Sequence, residues 1–298
     1  MKKGVVIALC AAVVVAGAVA VGWWVGRGGS FSDGDGDTAA AAKVPTAAEM
    51  AARAASNRQR IEQHRYLWRE ASYIEIRQAA ESGDLMAQRR LSEVYEDCLM
   101  LNGKMHRSME LLTQLAVGNP RFDSAVNGIV REKNRLCVQA GADLAKNPTA
   151  ADYWLHKSAK SGDTVSEIRF FSRTVPKLSH SQYRYFIDKV RETGDPDAIF
   201  ELSLILPKLD GQWPDETQAP AFHGRSAEQA WILAACRAGY DCARGSRLMN
   251  IICLTTLSCA QPDFEHHLAE SGGDVAMRAA RGQQVALIEK SILTPKAK

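Results

Sequence analysis

QAAESGDLMAQRRLSEVY, residues 78–95, holds a helix end, a turn and a helix start within eighteen positions. Gly83 can adopt the left-handed conformation that stops a helix, and Asp84 can accept the free N–H groups at the start of the next. Beyond it Ala87, Leu91 and Tyr95 recur every four residues and so share one helical face. The same order recurs in Ser158-Ala159-Lys160-Ser161-Gly162-Asp163 and in Val190-Arg191-Glu192-Thr193-Gly194-Asp195. Looser copies end at Gly239 and Gly272. The five glycines Gly83, Gly162, Gly194, Gly239 and Gly272 are therefore read as repeat caps. Small residues three to four positions ahead of the glycine let neighbouring helices approach closely.

The glycines are 79, 32, 45 and 33 residues apart, and the first gap fits two units. Such a unit is the size of a helix-pair repeat, about 34–47 residues. Apolar residues keep helical spacing along the rest of the chain, and strand-like alternation is hard to find. The pattern predicts an all-α fold with helices near 60–81, 84–101, 106–117, 122–140, 149–161, 164–175, 180–193, 196–208, 226–238, 246–256, 263–271 and 275–293. Residues 78–95 resemble the Sel1-like repeat, a relative of the tetratricopeptide repeat. KSAKSGDTVSEIRFF (157–171) and KVRETGDPDAIFELSLIL (189–206) resemble it more weakly. The resemblance covers residues 70–290 and implies antiparallel helix pairs stacked as an α-solenoid. The glycine-rich turn usual inside each pair is largely missing, so a degenerate array can instead curl into a compact helical repeat domain.

Ahead of the repeats, Lys2 and Lys3 precede 22 uncharged residues, Gly4–Val25, enough as a helix to cross a hydrocarbon core of roughly 30 Å. The lysines on the near side and Trp23-Trp24 at the far end place the N-terminus in the cytoplasm and the remainder outside it. Residues 1–26 are thus a transmembrane anchor, with the C-terminal domain in the periplasm of a bacterial-type envelope. Alternatively they are a signal peptide cut after Ala18-Val19-Ala20, leaving a soluble periplasmic protein. Leu9 and the short apolar run before Cys10 argue against a lipoprotein signal. Residues 27–58, rich in Gly, Asp and Ala, read as a flexible linker. Within it, Asp33-Gly34-Asp35-Gly36-Asp37 fails as a calcium loop because Thr38 and Val44 stand where Gly and Glu are needed. Residues 59–298 form the helical repeat domain, and Gly211-Gln212-Trp213-Pro214-Asp215 marks a candidate subdomain break near 209–225.

The formal charge of +3 comes from Lys2, Lys3 and Arg27, for without them 34 basic residues face 34 acidic ones. No clustered positive face is left for phosphate contacts, so nucleic acid is excluded as a partner. Beyond Cys10 the cysteines are Cys98, Cys137, Cys236, Cys242, Cys253 and Cys259, an even number that suits disulfides in an exported chain. The last four follow C-x5-C-x10-C-x5-C, unlike the C-x2-C hooks of zinc sites. Cys98 and Cys137 pair by elimination, and three connectivities stay open for the other four. His266-His267, beside Asp263 and Glu265, lack the spacing of a zinc helix and read as a solvated face. No nucleophile elbow, phosphate loop or dinucleotide fingerprint occurs, and no metal, cofactor or catalytic residue is assigned. The expected function is an envelope-facing, non-enzymatic adaptor or assembly factor binding another envelope protein or peptide. An enzyme acting on envelope polymers and a membrane-tethered chaperone are the alternatives.

Overall fold

A computed structural model describes residues 56, 59–103, 105–208, 226–271 and 273–293. The anchor or signal segment, almost all of the linker, the stretch 209–225 and Gly272 lie outside the described residues. What is described is all-helical. After α1 (59–70, ending in a π-helical turn Tyr66–Glu70) come α2 (Tyr73–Glu81), α3 (Leu85–Asn102), α4 (His106–Ala116), α5 (Pro120–Lys146) and α6 (Ala150–Lys160). They continue as α7 (Thr164–Thr174), α8 (His180–Thr193), α9 (Pro196–Ile205), α10 (Ala227–Ala238), α11 (Arg247–Thr256), α12 (Phe264–Ser271) and α13 (Val275–Ile288). One isolated bridge joins Ala243 and Asp263. No helix among the described residues is long and apolar enough to cross a membrane.

Local chemistry sets the boundaries. Asp84, Asp163 and Asp195 each accept a backbone N–H at the start of α3, α7 and α9. Gly83, Gly162, Gly194 and Gly239 take positive φ of 101°, 99°, 60° and 113°, the region in which a side chain is disfavoured. The single helix expected over 60–81 is two: Ala71 is extended, and Ser72 and Glu75 form a reciprocal capping box that starts α2 afresh. Apolar spacing passes through this junction unbroken, so only the cap marks it. The helix expected over 122–140 runs from Pro120 to Lys146.

Packing follows the turns. α2 packs on α3, α3 on α6, α6 on α7, α7 on α9, α9 on α10 and α10 on α13. Buried serines stitch the close approaches: Ser92 Oγ donates to the Ala151 carbonyl at 2.8 Å, and Ser158 Oγ to that of Leu85 at 3.1 Å. Two apolar clusters result. One runs from Leu67 to Trp154, the other from Val165 to Ile288 around the fully buried Trp231. α9 and α10, which flank residues 209–225, belong to the same cluster. α11 belongs to both, since Leu248 and Met249 enter the later cluster whereas Cys253 and Leu254 enter the earlier one, where α11 meets α4. The array therefore closes on itself, with a polar layer where the two clusters meet.

Candidate functional site

The helices that follow the Gly-Asp turns supply this layer. Six positions after the capping residues Asp84, Asp163 and Asp195 stand Arg90, Arg169 and Glu201. Equal spacing from equivalent caps puts all three on the inward side. Arg169 Nη1 donates to Glu93 Oε1 at 2.6 Å, and its Nε donates to Glu201 Oε1 at 2.9 Å. Arg90 Nη2 donates to Glu132 Oε1 at 3.0 Å, and Arg247, from α11, donates through Nε to both oxygens of Asp97 at 2.9 and 3.1 Å. The caps themselves take part. Arg89, only 1% exposed, donates to Asp197 at 3.1 Å and faces Asp163 at 3.5 Å and Asp195 at 3.9 Å.

Between these groups lies a cavity of about 240 Å³. Its charged wall is Glu93, Arg169, Glu201 and Arg247, and its apolar wall comes from Met100, Ile129 and Leu254. Trp68 from α1 enters it, donating Nε1–H to Glu93 Oε2 at 2.7 Å and stacking on His64 at a ring separation of 4.0 Å. Tyr240, stacked on Phe200 at 4.3 Å, and Asp241, bound in two-pronged fashion by Arg69 at 2.7 Å, line another side. Both sit in the loop closed by the Cys236–Cys242 disulfide.

Burial would push the Glu93 carboxyl up, but Arg169, Arg247, Arg90 and Arg89 together hold it well below the usual carboxylate range. Asp97 moves the other way: burial raises it in spite of Arg247. In the neighbouring pair, burial and the charge of Asp197 raise Asp195, whereas His64 and Arg89 outweigh burial at Asp197 and lower it. Among the described residues, Arg89 Nε and Arg90 Nε are buried without an acceptor.

The six cysteines among the described residues pair as Cys98–Cys137, Cys236–Cys242 and Cys253–Cys259. The last two bracket α11 and brace the wall it contributes. Among the described residues no group of three or more His, Cys, Asp or Glu could hold a metal ion. His266 Nδ1 pairs with Asp263 at 2.8 Å on an exposed helix face, away from the cavity. Gly83, Gly162, Gly194 and Gly239 shape the turns and the six cysteines brace the site, but none of them contributes to its charged wall. Those charges were missed because charges on amphipathic helices ordinarily face solvent. The available signal was their constant offset from the capping aspartates.

No protein-family model, curated protein or solved structure matches this chain.

Proposed function

We propose that this chain is an envelope-facing, non-enzymatic interaction module whose docking place is the central cavity and its rim. In this reading the helix pairs are degenerate Sel1-like repeats, stacked antiparallel as an α-solenoid that curls until α11 reaches α4. The observation that carries it is the state of the interior charges. Glu93, Asp97 and Glu201 are each held by an arginine, so the cavity offers fixed charges beside an apolar wall, which suits recognition of a side chain or chain end. An apolar filling would serve stability equally well. Three disulfides support an oxidising compartment, with residues 1–26 as a membrane anchor or as a signal peptide removed near Ala20.

Two measurements test this. A reporter fused after Ser30 is expected to be active only where export is required, and activity only in the cytoplasm would reject the localisation. A photo-cross-linking residue at Met100 or Ile251, both on the cavity, is expected to trap one protein partner that the exposed Val138 does not. Identical adducts from all three positions would reject the docking place.

A further inference from the structure

Helix α1 is held unlike the others. Its inward residues are Arg60, Gln63, His64, Leu67 and Trp68, spaced as one helical stripe, yet only Leu67 is a fully buried apolar anchor. Ile61, next to Arg60, is 48% exposed. What holds the stripe is a run of polar contacts to the starts of successive helices. Gln63 Nε2 donates to Asp84 at 2.6 Å, Arg60 pairs with Asp195 at 2.8 Å, His64 lies 3.2 Å from Asp197, and Trp68 reaches Glu93. α1 ends in a π-helical turn, a deviation that frequently marks functional sites, and this turn is what delivers Leu67, Trp68 and Arg69.

α1 is held by the largely buried ion pairs Arg60–Asp195 and His64–Asp197, by Trp68 against the earlier cluster and by one aliphatic side chain, so a helix offering the same donors and tryptophan can replace it while leaving the apolar clusters intact. The acceptors, by contrast, are built in: Asp84 and Asp195 cap helices whether or not α1 is present, and Glu93 and Asp197 are anchored by Arg169 and Arg89. We propose that α1 is a resident occupant of a helix-docking groove, and that the groove accepts in trans a helix of another protein. That helix carries arginine, glutamine and histidine donors at i, i+3 and i+4 and a tryptophan at i+8. The inference rests on the interaction-module reading and specifies the partner's chemistry. Displacing α1 would withdraw His64, Trp68 and Arg69 from the cavity and open that side of it.

The test uses a fluorescent peptide of residues 56–72 and the full-length chain, either wild type or carrying Arg60→Ala, His64→Ala and Trp68→Ala together. In the wild type the tethered α1 competes at an effective concentration on the order of mM. The peptide is therefore expected to bind the triple variant at least tenfold more tightly than the wild type, more weakly as salt rises, and not at all when it carries Trp68→Ala and Arg60→Glu itself. Equal binding to both chains, or none to a variant with native circular dichroism, overturns the proposal. Should the variant fail to fold, hydrogen exchange of the wild type decides: residues 59–70 are expected to exchange at least tenfold faster than 85–102 and to accelerate with salt. Exchange of both segments at one rate overturns it. A partner cross-linked at Met100 with no peptide binding would reject this inference and leave the interaction-module reading standing.

Discussion

Arg89 Nη2 donates to Asp197 Oδ2 at 3.1 Å across 108 residues of sequence, and the same buried guanidinium faces Asp163 and Asp195. One arginine on α3 thus ties together the starts of α7 and α9. Arg89→Met keeps an apolar stem but removes the cation that three buried acids share, leaving Asp195 to Arg60 and Asp197 to His64, so it should cost about 3–5 kcal/mol in chemical denaturation. Adding Asp197→Asn should recover part of that loss. A cost below about 1 kcal/mol would mean that solvent reaches the cluster.

Glu93 makes acid stability predictable in sign. Its folded-state pKa lies well below its ordinary 4.5, so the unfolded chain takes up the proton first as pH falls. The stability it contributes is fully present above that value and is lost progressively below it. Asp97 and Asp195, raised by burial, act in the opposite direction and make the wild-type curve shallower. The clean readout is a difference: the stability gap between wild type and Glu93→Gln should shrink as pH drops from 5 toward 2. A gap independent of pH would contradict the assignment.

Leu257 caps α11 at φ 60°, a left-handed conformation outside glycine. That conformation costs roughly 1–2 kcal/mol for a residue with a side chain, and glycine's greater unfolded freedom returns about 0.4–1. Leu257→Gly should therefore stabilise the protein by about 0.5–1 kcal/mol, measured by thermal unfolding with the disulfides intact. Destabilisation would show that the Leu257 side chain packs more than its 37% exposure suggests.

Glycines in different conformations should respond oppositely. At Gly83, φ 101°, a Cβ meets nothing within 4 Å, so the strain of Gly83→Val is in the backbone alone and should exceed about 1 kcal/mol. Gly128 lies inside α5 with equally open surroundings and ordinary helical φ, so Gly128→Ala should gain about 0.5–1 kcal/mol. Matching signs in denaturant melts of the two variants would refute the conformational argument.

Loop length separates the disulfides. Cys98–Cys137 spans 39 residues and the other two span 6 each. Chain entropy then assigns about 4 kcal/mol to the first and about 2 to each of the others. Paired Cys→Ala variants, compared by chemical denaturation, should follow that order. The Cys236 and Cys242 pair should additionally loosen Tyr240 and Asp241 at the cavity, visible as faster local hydrogen exchange.

The sequence by itself determined the helices and their turns, because a left-handed glycine followed by a capping aspartate is a local instruction that needs no partner. It also singled out the small residues three to four positions ahead of the glycines, Ala80 and Ser158 among them, as points of close approach, and both are fully buried. The break at Ala71–Ser72 was legible only as a capping box inside continuous apolar spacing. Tertiary structure alone decided the pairing within the Cys236–Cys259 cluster, since the three connectivities have similar local feasibility and differ in where α11 lies. It also decided that Arg89, Arg90, Glu93, Arg169 and Glu201 face inward. Helical periodicity states which residues share a face, but a charge on that face is equally consistent with water or with a buried counter-charge. Only the closing of the array, which brings α11 back to α4 and stacks successive caps over Arg89, supplies the counter-charges that make burial affordable.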